Sequence, residues 1–473
     1  MPVWMHPVRA LAPVLAACCA LAAAPAHAEW SEQDLTAAAA LRDRALAGTQ
    51  AMEHLTSLTT EVGPRLAGSA GDAAAVRWAL NRLGELGFSN VRSQDVLVPH
   101  WVRGDAQVAI VAPFPQPLVG VALGGSIGTP EGGIEAQVVE FESLEALTTA
   151  DEEAVNGKIV FINHRMERTR DGSGYSAAVG GRTQGASVAG NLGAAAIVIR
   201  SVGTSDDRIA HTGIVSYRAD APRIPAFAIS NPDADLLARQ LRSGKPVRLR
   251  VWSSARELPP AWSANVIGEI PGGERADEIV LLGAHLDSWD LGPGAHDDGA
   301  GVAIVMEAAS LIARMERRPA RTIRVVLFAN EEFGLSGARE YARALGDEAQ
   351  RHVLAMEADM GAGPVWRIES RVAPEALGSI DTFHEVLGPL ELERGGNETF
   401  GGADLTPLVP LGVPMLGLTL DGTHYFDVHH TVNDTLDKVN PKDLDQSVAA
   451  FAVSAWLAAT KQGDFGRLTP ASE

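Results

Sequence analysis

Cysteine is almost missing from this chain. Of 473 residues, two are cysteines, adjacent at Cys18 and Cys19 within an apolar N-terminal run. Everything after that run lacks a thiol. A cysteine nucleophile, thiolate metal ligands and disulfides are therefore excluded from the folded body. Basic residues are in deficit, with 39 Lys and Arg against 59 Asp and Glu and a net charge of -20. That excludes a nucleic-acid partner, which needs a basic patch to meet phosphates. Nor is there a convincing membrane span: "ALAPVLAACCALAAAPA" (10–26) is too short and too alanine-rich. No internal repeat and no further low-complexity tract are present.

Several catalytic signatures are missing as well. "GLSGA" (334–338) lacks the last glycine of a nucleophile elbow. "GPGAHD" (292–297) lacks the third glycine of a dinucleotide fingerprint. No stretch has EF-hand spacing.

The N-terminus reads as a signal peptide over residues 1–28. Arg9 supplies a short basic region, an apolar segment follows, and "AHA" (26–28) is a small-x-small cleavage site that makes Glu29 the first mature residue. The export route is periplasmic or secretory. "LAAC", ending at Cys18, is a rival lipid-anchor site.

The length suits two to three domains. Residues 72–87 read as a helix with Asp72 as N-cap, followed by a strand, "VRSQDVLVPHW". From 106 to 255 short strands dominate, at 157–162, 194–199, 224–230 and 247–252, with small helical patterns near 184–193 and 233–242. This texture marks a β-rich insert within a catalytic domain that comprises 29–105 and 256–473. In the second part strands alternate with helices: "EIVLLGAH", an amphipathic "GVAIVMEAASLIARM" with Val302, Val305, Met306 and Ala309 on one face, "TIRVVLFANEE", "SGAREYARAL" and "HVLAMEADM". The expected fold is α/β, a mostly parallel central sheet with helices on both faces.

Ligands of such sheets bind beyond the carboxyl ends of the strands. Three successive strands run there into metal-type side chains: His285 and Asp287, then Glu331 and Glu332, then Asp359. A fourth set, "HYFDVHHTVNDT" (424–435), lies near the C-terminus. Carboxylates and imidazoles without thiolate suit zinc, or manganese or cobalt, at a hydrolytic site. Their number exceeds the needs of one zinc. Two metals about 3.5–4 Å apart, sharing a carboxylate, account for it. Of the adjacent Glu331 and Glu332, one can ligate while its neighbour acts as general base.

At these residues the chain resembles the M28 family of co-catalytic zinc exopeptidases, and within it the plasma glutamate carboxypeptidase (carboxypeptidase Q) type. "LTTEVGPRLAGSAG" (58–71), "HLDSWDLGPGAHDDGAG" (285–301) and "NEEFGLSGA" (330–338) carry the resemblance, and 106–255 is similar to a protease-associated domain. The resemblance implies two zinc ions. His285 and Asp359 would bind the first, Glu332 and His430 the second, and Asp297 both. Asp287 would hold the His285 imidazole, and the Asp297–Asp298 peptide would be cis. Glu331 would be the general base that activates a metal-bridged water. His296 departs from the family pattern, where many members carry Asn.

The implied substrates are dipeptides or short peptides, and the implied assembly a homodimer. Which peptide terminus is read stays open. So do the roles of His296, His424, His429 and Asp404, while Asp434 reads as a supporting or capping residue. Asp290 and Asp298 read as turn and helix-start charges. Two other readings compete: a one-zinc glutaminyl cyclase on the same fold, and a non-catalytic peptide-binding module. The full ligand complement speaks against the first, and the retained Glu331 against the second.

Overall fold

Two eight-stranded sheets carry the chain in the computed structural model, which describes residues 1–2 and 29–468. The signal-peptide and lipid-anchor readings lie outside the described residues. From edge to edge the first sheet runs Ser89–Val102, Arg256–Ile270, Arg321–Phe328, Arg275–His285, His352–Glu357, Met415–Leu420, Val365–Arg371 and Glu393–Arg394. The four strands from Arg321–Phe328 to Met415–Leu420 are mutually parallel. Antiparallel neighbours, Arg256–Ile270 and Val365–Arg371, flank them.

Helices cover both faces, and the central strand shows why its apolar residues run without interruption. Val280, Leu282 and Ala284 pack into a core built with the helices Glu32–Leu46, Ala300–Ala313 and Pro441–Thr460. Leu281 points the other way, toward the helix Ser336–Leu345. A strand buried on both sides has no polar face to show.

The helix Ala300–Ala313 is not amphipathic, contrary to the expectation from its spacing. Every residue from Ala300 to Ile312 is buried, because the helix lies between the sheet and Pro441–Thr460. Its one acid, Glu307, is buried against Arg314 at 2.6 Å and His54 at 3.4 Å. The helix expected at 72–87 spans Ala70–Glu85, and its N-cap is Ser69 rather than Asp72. The Ser69 hydroxyl accepts from the Asp72 amide, and the Asp72 carboxylate accepts from the Gly68 amide and the Ser263 hydroxyl.

The second sheet takes its strands from between Ala106 and Ser253. Its main helix, Ser173–Asn191, begins well before the 184–193 pattern. Five glycines conceal it, since glycine is a poor helix former. One of them has a packing reason: a Cβ on Gly185 would lie 2.9 Å from Ile197 and 3.0 Å from Ile162, so the helix sits unusually close to its sheet.

The connection from His285 to the helix at Ala300 has little regular structure, and Arg65 holds it. This fully buried guanidinium donates to the carbonyls of Leu286 (2.6 Å), Pro293 (2.5 Å), Gly294 (3.0 Å) and Gly63 (3.3 Å). Leaving buried carbonyls without donors costs roughly 1–3 kcal/mol each. Arg65→Met is therefore expected to lower the unfolding free energy by about 3 kcal/mol or more, read as a lower urea midpoint. An unchanged midpoint would show that these bonds add nothing to stability.

Candidate metal centre

His285 is the last residue of the central strand, and its ring is buried. Nε2 lies 3.1 Å from Asp297 Oδ1 and 3.5 Å from Asp359 Oδ1. The other oxygen of Asp297, Oδ2, lies 3.2 Å from His430 Nε2, which is itself 3.0 Å from Glu332 Oε2. Asp297 thus stands between two imidazoles, one oxygen toward each. His285, Asp297 and Asp359 bring ligand atoms within 4.8 Å of one another, and so do Asp297, His429 and His430. The Asp297–Asp298 peptide is cis.

The acidic residues sort into two kinds. Three spend their oxygens on backbone amides. Asp298 accepts from the His285 and Gly301 amides, both at 3.1 Å. Asp434 accepts from His296 (2.6 Å) and Asp297 (3.1 Å). Asp287 accepts from Glu331 (3.0 Å) and Glu332 (3.3 Å). Asp287 is expected to hold the His285 imidazole. His285 Nδ1 meets the Asp287 backbone carbonyl at 3.0 Å and the carboxylate at 3.6 Å. The Asp287 side chain also joins the exits of two strands. Asp297, Glu332 and Asp359 are the other kind, turned toward the imidazoles. Asp297 Oδ2 and Glu332 Oε1 are buried without a hydrogen-bond donor.

The electrostatics follow from this crowding. Burial opposes the charge on His285, yet Asp359, Asp287 and Asp297 together hold its ring well above the ordinary imidazole value. Burial likewise disfavours the Asp297 carboxylate, but His285 and His430 outweigh it and hold its pKa far down. Glu332 is pushed up to about 7, first by burial and then by Asp297. Burial pushes the Glu331 carboxyl well above its usual value; Asp359 and Glu332 add to this against the opposing charge of His285. Buried carboxylates with free lone pairs, converging with imidazole nitrogens, form a donor set that fits zinc.

The remaining candidates divide. His429 stacks on His430 with ring centroids 3.5 Å apart, and its Nε2 is 3.7 Å from Asp297 Oδ2, so it stands beside the site rather than away from it. His424 is exposed and pairs with Asp427 at 3.2 Å. The His296 ring is enclosed with neither nitrogen partnered and belongs to neither ligand group. Asp404 is fully buried with both oxygens unpartnered, and burial and Glu357 push its pKa well up. Asp290 receives a bidentate bond from Arg103.

A cleft of about 450 Å3 opens onto Asp297, Glu331, Glu332, Asp359 and His430. Its far wall comes from the second sheet's domain, with Tyr175, Arg182, Ile214 and Ser216. Those residues carry no motif, and the sequence reading did not find them. Arg65 lies within a quoted motif, yet only its contacts show its use.

The model of peptidase family M28 matches residues 265–455, and that of the PA domain matches 120–237. Carboxypeptidase Q of Mus musculus is 34% identical over 407 residues, 86% of this chain and 85% of that one. The chain belongs to peptidase family M28. A second relative, carboxypeptidase Q of Homo sapiens, is 34% identical over 87% of this chain and 86% of that one. Among solved structures, a peptidase M28 precursor from Shewanella amazonensis SB2B superposes with TM-score 0.91 at 47% identity, covering 93% of this chain and 99% of that one. A zinc aminopeptidase from Bacillus subtilis, at 20% identity, TM-score 0.63 and coverage of 89% and 97%, shares the fold. The expected M28 metallo-exopeptidase with a PA domain is thus met. Among the described residues no helix is long and apolar enough to cross a membrane.

Zinc added to chelator-stripped protein is expected to raise its melting temperature, since a ligand at 100 times its Kd adds about 2.7 kcal/mol. Asp297→Asn should remove most of that rise. An equal rise in the variant would contradict a shared role for Asp297.

Proposed function

We propose that the chain is an exported di-zinc exopeptidase of dipeptides or short peptides, with residues 29–105 and 256–473 as the catalytic domain and 106–255 as the insert. One observation carries this reading: Asp297 lies between two imidazole–carboxylate groups, and Glu331 lines the same cleft. His285, Asp297 and Asp359 would hold one zinc, and Asp297, Glu332 and His430 the other. When bound, the ions supply Lewis acidity for the scissile carbonyl and ease deprotonation of the attacking water.

This chain's own residues do the rest. Glu331 accepts the water's proton and returns it to the leaving amine as the peptide C–N bond breaks. Asp287 holds the backbone of Glu331 and Glu332, so that base and ligand face the cleft together. Tyr175, Tyr425 and Phe426 wall the cleft and exclude water around the reacting bond.

Arg182 supports a substrate with a free C-terminal carboxylate, as the name of the carboxypeptidase Q relatives also suggests. Among the described residues it is the one arginine or lysine lining the cleft, and it is almost fully buried. It donates to the Tyr175 hydroxyl at 2.5 Å and, weakly, to the Thr212 carbonyl at 3.4 Å, while its Nε has no partner. A carboxylate entering the cleft would meet this positive charge, whose hydrogen bonds within the protein occupy two of five donors.

Glu331→Gln should lower kcat by at least 100-fold with zinc content unchanged, measured by dipeptide hydrolysis and elemental analysis. Near wild-type turnover would exclude Glu331 as the base. Arg182→Met should lower kcat/KM on free peptides roughly 10- to 100-fold, mainly through KM, with peptide amides poor substrates of both forms. Equal turnover of acid and amide by the wild type would remove the carboxylate reading.

A further inference from the structure

The second sheet's domain reaches the metal centre through backbone as well as through the cleft wall. His430 sits outside any regular element, just after the short helix Tyr425–Val428, with a left-handed φ of 61°. The neighbouring His429 ring stacks on its ring, and its own Nε2 faces Asp297 and Glu332. Its carbonyl and Nδ1 are held from the insert, by Thr212. The Thr212 amide donates to the His430 carbonyl at 3.0 Å, and His430 Nδ1 lies 3.3 Å from the Thr212 carbonyl oxygen. One residue earlier, His211 Nδ1 lies 2.7 Å from the His429 carbonyl oxygen. The contacts alternate between the two segments, 211–212 and 429–430, like a short ladder with imidazoles as two of its rungs.

The insert braces this pair from its own side. His211 and Thr212 are fully buried, and the His211 amide donates to the Ser201 hydroxyl at 2.8 Å. A Cβ on Gly203 would lie 2.2 Å from the His211 ring, so that ring is packed directly against backbone. The Thr212 hydroxyl accepts from Arg103 Nη1 at 2.8 Å, and Arg103 also holds Asp290, in the connection that bears Asp297.

A carbonyl oxygen only accepts. Nδ1 of His430 therefore carries a proton, so Nε2, which faces Asp297 and Glu332, is the nitrogen that would ligate a bound metal. We propose that the insert is a structural part of the second metal half-site: the Thr212 carbonyl fixes the tautomer of His430, and His211 is a positioning residue that holds the His429–His430 backbone. Metal affinity at that half-site then depends on how the two domains are docked. This inference rests on the reading of His430 as a metal ligand.

The test titrates zinc into the full chain against a chromophoric chelator. His430→Ala first checks the underlying reading and should bind one zinc equivalent where the wild type binds two; two tight equivalents would overturn that reading and this inference with it. His211→Phe removes the donor to the His429 carbonyl, whereas His211→Asn keeps an N–H in the place of Nδ1. The phenylalanine variant should bind the second equivalent 10- to 100-fold more weakly with the first unchanged, and the asparagine variant should bind both like the wild type. Two equivalents of wild-type affinity in His211→Phe, or equal weakening of both, would overturn the inference while leaving His430 a ligand. The wild type offers a measurement free of any folding defect: nitrogen-15 spectra of histidine-labelled, zinc-loaded protein should show His430 protonated at Nδ1. Protonation at Nε2 would overturn the proposal.

Discussion

The carboxylate of Asp297 lies between two imidazoles, and the rest of the site is arranged around that placement. A carboxylate this deeply buried loses its hydration and keeps its charge only beside cations or donors. His285 and His430 supply part of that compensation. Glu332 and Asp359 bring further negative charge to the same place, and Glu332 keeps an oxygen without a donor. Such a cluster is unbalanced by itself. The proposed pair of zinc ions, sharing the central carboxylate as a cradle, would balance it.

Precision in that cradle comes from a second ring of acids that never face the cations. Asp298, Asp434 and Asp287 each bind two backbone amides, and each holds at least one amide of a candidate ligand or base. Arg65 does the complementary work from the other side, donating to carbonyls of the same connection. The parallel sheet places three strand exits at one edge. The amide clamps and the arginine convert that rough proximity into fixed distances, and the insert closes the remaining side with Arg182, His211 and Thr212.

How much of this could be read in advance depends on whether a function resides in a side chain or in the backbone. His285, Glu331, Glu332 and Asp359 stood out because each follows an apolar run that reads as a buried strand, and the three strands deliver them to one sheet edge. The M28 resemblance added Asp297 and His430, and the structure gathers all six. The resemblance placed Asp287 beside the His285 imidazole, and its carboxylate lies 3.6 Å from Nδ1; its second use, accepting from the Glu331 and Glu332 amides at the next strand exit, is not readable from residue type. The long insert helix was hidden by glycines whose value lies in close packing. The Thr212 carbonyl was beyond reach, since a backbone oxygen leaves no mark in residue type.

The most direct test of the account is anomalous diffraction at the zinc edge from crystals of the zinc-loaded chain. The account predicts two peaks about 3.5–4 Å apart, one on each side of the Asp297 carboxylate, with Glu331 outside both coordination shells. A single peak, or Glu331 bound directly to a metal in place of Glu332, would contradict it.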